Sequence, residues 1–285
     1  MKRGVSTGTR IDADQVTLSA GIPHRAITER ILELAGQAGY KAALIDAVAG
    51  TVTAWPRFAW TIRAGARGLS RRGLADGDTA AVFVQDAASF TIAVNAIRAA
   101  GAIALPIRPD TPLADVAAQL NASGARLLIT AAPLAELAAE AADRSRVRQV
   151  FTFGEAAGTT SFRSLLSAGK HQADGQMAEV FGPADNAATT AAQDGLTSLD
   201  GLTCTDRRPG LSHRDVVVAG PPCGQGPAYT SLLDLALLAG ATIVAAPVPL
   251  VTAAMRVYRG TAAIVPAGTD VPGISPDRVF AIACD

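Results

Sequence analysis

Cysteine is scarce. Cys204, Cys223 and Cys284 are the only three in 285 residues, and none belongs to a CxxC pair. An odd, sparse count excludes a disulfide framework and fits reduced thiols in a cytoplasm. Aromatic residues are 5% of the chain, too few for platforms that stack nucleic-acid bases. Neither sign of charge is in excess: 25 basic and 25 acidic side chains give a formal net charge of zero. A nucleic-acid binder would show a basic excess or stripe. Met1–Ala20 has no apolar core before a cleavage site, so no signal peptide is read there. The longest apolar run, Leu235–Pro249, is about 15 residues and is broken by Gly240, Pro247 and Pro249. A membrane span needs roughly 20. The expectation is a soluble cytoplasmic protein, with no nucleic-acid partner and no membrane span.

What is abundant points to a packed core. Hydrophobic residues make up 49% and charged ones 18%, which excludes a disordered chain. Helical spacing of apolar residues marks Ile22–Gly39, and Ala43–Asp46 with Thr51–Trp55 reads as a hairpin. Pro56 opens a helix carrying Phe58, Ile62, Ala66 and Leu69. Thr79–Val84, Ala102–Ile107, Arg126–Thr130 and Val147–Phe153 read as buried strands. Helices at Ala87–Ala100, Thr111–Ser123 (with Thr111 as its cap) and Pro133–Asp143 separate them. Later strands fall at Asp215–Ala219, Ala241–Ala246, Ala262–Pro266 and Arg278–Cys284, with helices at Tyr229–Ala239 and Val251–Tyr258. Apolar strands alternating with helices predict an α/β fold with layered, mainly parallel sheets flanked by helices. The predicted organisation is a mobile leader over 1–20, an α/β subdomain over 21–168, a linker over 169–198 and a second, incomplete α/β subdomain over 199–285.

Several landmarks then fall in a known order. Trp55-Pro56-Arg57-Phe58-Ala59, Gly68-Leu69 and Arg72-Gly73-Leu74-Ala75-Asp76-Gly77-Asp78-Thr79-Ala80-Ala81-Val82 come first. Ala96-Ile97-Arg98-Ala99-Ala100-Gly101-Ala102-Ile103-Ala104-Leu105-Pro106-Ile107 follows, and then Ser123-Gly124-Ala125-Arg126. Together they resemble the opening of AMP-forming acyl-CoA synthetases, in the adenylate-forming superfamily. The resemblance covers roughly 24–170 well and 199–272 more loosely. It implies a fold like the N-terminal region of those ligases, and a chemistry that activates a carboxylic acid with ATP.

The residues that chemistry requires are largely missing. The family's phosphate loop is a run of Ser, Thr and Gly ending in Pro-Lys-Gly, whose backbone N–H groups and lysine hold ATP. Here Thr203-Cys204-Thr205-Asp206-Arg207-Arg208-Pro209-Gly210 stands in that place, followed by Leu211-Ser212-His213-Arg214. The glycines between the hydroxyl residues are gone, the lysine is gone, and Asp206 adds a charge that repels phosphate. Lys2, Lys41 and Lys170 are the only lysines, and no glutamate follows Glu179 to hold magnesium. His213-Arg214 runs directly into Asp215-Val216-Val217-Val218, where the family carries a further helix. Pro221-Pro222-Cys223-Gly224-Gln225-Gly226-Pro227 matches a family stretch without its histidine. The chain ends before the family's ribose-binding aspartate and C-terminal domain.

Two kinds of site remain open on these residues. Thr203, Thr205, Arg207, Arg208, His213 and Arg214 form a degenerate phosphate loop, in which arginines replace the lost lysine; the alternative is a surface turn. Gly224, Gln225 and Gly226 form a candidate substrate-facing turn; the alternative is a plain strand-to-helix connection. His24, His171 and His213 lack ligand spacing, so no metal site is expected. Ser212-His213-Arg214-Asp215 is adjacency, not a triad. Cys223 reads as an inert thiol rather than a nucleophile.

The favoured expectation is a non-catalytic, synthetase-like binding or partner subunit, with no catalytic residues and no cofactor of its own. The alternative is an acyl-CoA synthetase using ATP/AMP, Mg and CoA. Expected partners are a second copy or another synthetase-type polypeptide, with an acyl or aryl small molecule as a further ligand. The missing coverage around 241–285 is expected to expose apolar surface and favour a dimer.

Overall fold

Small apolar residues alternate along each strand between two cores, and this alternation sets the architecture. The computed structural model describes residues 11–12, 24–167, 210–222 and 228–282. In chain order the first elements are β1 (Ile11–Asp12), α1 (His24–Ala35), β2 (Ala42–Asp46), β3 (Thr51–Ala54), α2 (Trp55–Arg71) and β4 (Thr79–Phe83). Next come α3 (Ala87–Ala99), β5 (Ile103–Pro106), α4 (Leu113–Ser123), β6 (Leu127–Ala131), α5 (Ala135–Asp143), β7 (Gln149–Phe153), β8 (Thr160–Ser161) and α6 (Arg163–Ser167). The last are β9 (Val216–Ala219), α7 (Ala228–Leu238), β10 (Thr242–Ala245), α8 (Val251–Val257), β11 (Ala262–Pro266) and β12 (Val279–Ile282).

Among the described residues the strands form two sheets. One has the order β5-β4-β6-β7-β8 and is parallel throughout. The other has the order β1-β12-β11-β9-β10-β2-β3, parallel except for the β2–β3 hairpin. Val217, Ile243 and Ile264 of the second sheet share a core with Val82, Ile129 and Phe151 of the first. Helices α1, α2, α3 and α7 fill that core with Ile31, Phe58, Ile62, Ile97 and Leu237. The strand neighbours point the other way. Val218, Val244, Val265 and Val279 pack on Val251, Ala254 and Met255 of α8. Phe83 and Leu128 pack on Val116 and Leu120 of α4 and Ala138 of α5. A shared helical layer thus lies between two sheets, with α8 outside one and α4 and α5 outside the other. This is the layered α/β fold the sequence predicts.

Several details add to or differ from the sequence reading. Ala102–Ile107 reads as buried, yet β5 is the end strand of its sheet, pairs only with β4, and leaves Ile103 55% exposed. Thr111 does not cap α4: the helix starts at Leu113 with Pro112 before it and no side-chain cap, while Gly124 ends it in the left-handed conformation. Within the predicted leader, Ile11 and Asp12 pair in parallel with Phe280 and Ala281. Around 241–282 the strands β10, β11 and β12 are buried on one face by the shared helices and on the other by α8, and the exposed apolar side chains are those of Val248, Leu250 and Val257, outside the strands. The sheet boundary also does not follow the sequence boundary, because β2 from the first segment pairs with β10 from the last.

One charged group lies inside the shared layer. Arg98 Nη1 of α3 donates to Asp234 Oδ2 of α7 at 2.7 Å, and both side chains are nearly fully buried. His24 Nδ1 of α1 lies 3.3 Å from Arg98 Nη2. Burial pushes the Asp234 carboxyl up and the Arg98 guanidinium opposes the push; burial, then Arg98, pushes His24 down. A pair of this kind adds little net stability, but removing one partner strands the other. Asp234→Ala should therefore cost about 3–5 kcal/mol, measured by urea unfolding, and Arg98→Met with Asp234→Leu together should cost less than Asp234→Ala alone. The α2–α6 contact gives a second test. A Cβ on Gly68 would stand 2.5 Å from the Leu165 carbonyl oxygen, a backbone atom. Gly68→Ala should destabilise by about 1–3 kcal/mol in the same assay.

Candidate functional site

In open parallel sheets, ligands bind outside the carboxyl ends of the strands, where helix N-termini converge. The two ends of the seven-stranded sheet differ in chemistry. At its amino end the residues just before the strands form a polar row: Lys41 before β2, Asp215 before β9, Thr261 before β11 and Arg278 before β12.

Asp215 is the centre of that row. Its Oδ2 accepts from Ser212 N at 2.6 Å and Ser212 Oγ at 2.9 Å. Its Oδ1 accepts from Thr261 Oγ1 at 2.7 Å and Arg278 Nη1 at 3.3 Å. Burial raises its pKa, yet the hydrogen bonds from Thr261 and Ser212 more than offset this and hold the carboxyl below its usual value. Lys41 Nζ donates to the carbonyl of Gly240 at 2.7 Å and to that of His213. It thereby ties the turn after α7 to the segment before β9. Burial lowers the Lys41 pKa, with Asp215 opposing.

This geometry divides the residues singled out from the sequence. His213 and Arg214 lie at the amino end of β9, exposed, because the chain passes from them straight into the strand. Gly224, Gln225 and Gly226 follow the opposite end of β9 in sequence but lie outside the described residues, as do Thr203, Thr205, Arg207, Arg208, the 169–198 linker and all three cysteines. His213 and Arg214 thus stand at the end of the sheet opposite Asp46 and the 220–222 turn. Ser212 Oγ donates to Asp215 rather than to the His213 ring, so the adjacent Ser, His and Asp build a turn, not a nucleophile. Among the described residues, no three His, Cys, Asp or Glu side chains gather as a metal site.

The carboxyl end holds groups that the sequence reading passed over. Asp46 closes β2 and accepts from Val48 N at 2.8 Å and Ala49 N at 3.0 Å. Asp86, just past β4, caps α3 by accepting from Ser89 N at 2.6 Å. Burial raises the Asp86 pKa, the Ser89 bonds lower it, and nearby Asp46 raises it again. Tyr229, at the start of α7, donates to the Gly220 carbonyl at 2.6 Å. The legible signal was position: Asp46 ends an apolar strand, and Asp86 stands directly before a helix. The loops after β2, β9, β10 and β11 (46–50, 220–222, 246–250 and 267–270) carry Asp46 and Asp270 and no Lys or Arg. The sequence supplies none at 223–227 or 283–285 either.

The Asp215 row makes a pH prediction. Its folded pKa lies below the unfolded value of about 3.9, so its contribution is complete above that value and is lost as pH falls through the folded pKa. Asp215→Asn should cost about 1–3 kcal/mol at neutral pH by leaving donors poorly matched. It should also lose less stability than the parent on going from neutral to about pH 3, read from urea midpoints.

Known proteins share this architecture. A long-chain-fatty-acid-CoA ligase from Archaeoglobus fulgidus superposes with a TM-score of 0.65 at 18% identity, covering 88% of this chain and 54% of that one. A benzoate CoA ligase from Burkholderia xenovorans LB400 gives 0.62 at 17% identity, covering 84% and 50%. The inhibitor-bound N-terminal domain of FACL13 from Mycobacterium tuberculosis gives 0.60 at 16% identity, covering 87% and 68%. The chain thus spans about half the length of the first two, and identities this low establish the fold alone. No curated protein matches the sequence. A family model described as AMP-binding enzyme matches residues 33–193, more than half of the 285 residues, and on that match the chain belongs to the AMP-binding enzyme family.

Proposed function

We propose that this chain is a non-catalytic member of its family, a binding or partner subunit whose ligand is a second polypeptide rather than ATP. The observation that carries the reading is the division of charge along the seven-stranded sheet. The cations Lys41, Arg214 and Arg278 lie at the amino end with the carboxylate Asp215 among them, while the carboxyl end offers Asp46 and Asp270 with no cation and neighbours Asp86. A triphosphate needs donors and positive charge where the helix N-termini converge. Carboxylates at that place repel it. Lys41, the one lysine among the described residues, is engaged in holding the Gly240 and His213 carbonyls. The scarcity of cysteine favours a reducing cytoplasm as its location.

The test is thermal unfolding of the full chain with ATP and magnesium, alongside pyrophosphate release over a panel of fatty and aromatic acids with CoA. The expected result is an unchanged midpoint and no pyrophosphate. Stabilisation approaching about 2.7 kcal/mol, as a ligand at a hundred times its Kd produces, would establish the opposite reading, an acid-activating ligase.

A further inference from the structure

The longest helix among the described residues carries four arginines and no carboxylate. Over its 17 residues α2 holds Arg57, Arg63, Arg67 and Arg71, its cap is Arg72, and neither Asp nor Glu occurs in it. Arg57, Trp60, Ala64, Arg67 and Arg71 recur at intervals of three and four, and so share one face. Trp60, Ala64, Arg67 and Arg71 line a shallow groove with Leu166 of α6, enclosing about 20 Å³. The Arg57 guanidinium lies 4.2 Å from the centre of the Trp60 ring. Arg71 Nη2 donates weakly to the Leu165 carbonyl at 3.4 Å.

Arg163, the first residue of α6, adds a further cation beside Arg57. After burial, its charge is what lowers the Arg57 pKa, so the two guanidinium groups repel. Arg57, Arg67, Arg71 and Arg163 are exposed, and none takes part in an ion pair among the described residues. Arg25, Arg30, Arg108 and Arg144, by contrast, pair with Glu29, Glu33, Asp110 and Glu140, whereas Arg126, Arg146, Arg148 and Arg214 are exposed without an ion pair among the described residues but are not gathered on one helix face. In a chain of zero net charge this cluster is a local excess that an external anion would relieve.

We infer that the face formed by Arg57, Trp60, Arg67, Arg71 and Arg163 docks an acidic segment of a partner protein. The partner's carboxylates pair with the guanidinium groups, and an apolar side chain lies against Trp60, Ala64 and Leu166. A space of about 20 Å³ holds roughly one water, so no small anion is enclosed there. From Arg57 to Arg71 the cations extend about 21 Å along the helix axis, the reach of an extended or helical peptide. Arginine grips carboxylate bidentately, and Trp and Arg are the residue types that anchor protein interfaces. The balanced charge of the chain lacks the wider basic field that a phosphate backbone requires.

The inference takes from the proposed function only that the ligand is a polypeptide. An active ligase could carry the same face, so the nucleotide assay and the following one fail separately. The probe is a fluorescein-labelled 20-residue peptide of Glu, Asp and Leu, titrated with the full chain and followed by anisotropy. Saturable binding is expected, weakening as salt is raised past the point where the Debye length falls below about 10 Å. Arg67→Glu with Arg163→Glu should weaken it at least about tenfold, and Trp60→Ala severalfold, with melting temperatures unchanged. Arg67→Gln with Arg163→Gln should fall between, and serves if the charge reversals unfold the chain. Arg146→Glu with Arg148→Glu, the same change in net charge elsewhere, should leave binding as it was. No binding, or equal losses in the two charge-reversed pairs, overturns the inference. So does tighter binding to poly(dT) or to phosphatidylserine vesicles. Residues 171–206 contain six Asp or Glu and no Lys or Arg. Peptide binding that appears only after Asp174, Glu179 and Asp185 are changed to their amides would assign the face to that run, and overturn the inference too.

Discussion

Four helices packed between two sheets are what the remaining structure depends on. Each sheet buries its inner strand residues against the same side chains, so neither can form its core without α1, α2, α3 and α7. Fully burying a side chain such as Phe58, Ile62 or Leu237 is worth about 1.5–3 kcal/mol. Many such residues in one layer outweigh the cost of the single charged pair, Arg98 and Asp234, held among them. Because the inner helices tie the sheets together, the outer ones have only to cover: α8 on one side, α4 and α5 on the other.

Parallel strands then sort polar groups by position. Whatever precedes a strand goes to one end of the sheet, and whatever follows it goes to the other. Lys41, Asp215, Thr261 and Arg278 each precede a strand, and the sheet lines them up across four strands that are distant in sequence. Asp46 and the Gly220-Pro221-Pro222 turn follow strands and lie opposite. The chain's family membership leaves that distribution open, because it is fixed by the residues flanking each strand rather than by the strands themselves.

Much of the fold was legible because periodicity and burial coincide. The strands at 79–83, 127–131 and 262–266 are short, apolar and bounded by Gly, Pro or Asp, and lie where the sequence places them. Ala102–Ile107 misleads because an apolar run does not reveal whether its strand is central or last in the sheet. The pairing of β2 with β10 is likewise invisible, since nothing local to either strand names its neighbour. The candidate site was less legible still. Resemblance directed attention to His213 and Arg214, but which end of a strand a residue occupies depends on chain direction within the assembled sheet. Asp46 and Asp86 were missed because short-range hydrogen bonds to Val48, Ala49 and Ser89 make them look like ordinary turn and cap residues.

The β2–β10 pairing also governs when the molecule can be completed during synthesis. Thr242 Oγ1 reaches the Ala42 carbonyl across a separation of 200 residues, and Lys41 reaches Gly240 across 199. A ribosome that has delivered the five-stranded sheet has supplied everything that sheet pairs with, but only the two end pieces of the other, β1 and the β2–β3 hairpin. A lone hairpin is marginal in water, and its partners emerge many seconds later at typical elongation speeds. In the interval α1, α2 and α3 have neither α7 nor the rest of the second sheet to pack against. Apolar surface on those three helices is therefore uncovered for as long as the synthesis of residues 216–245 takes.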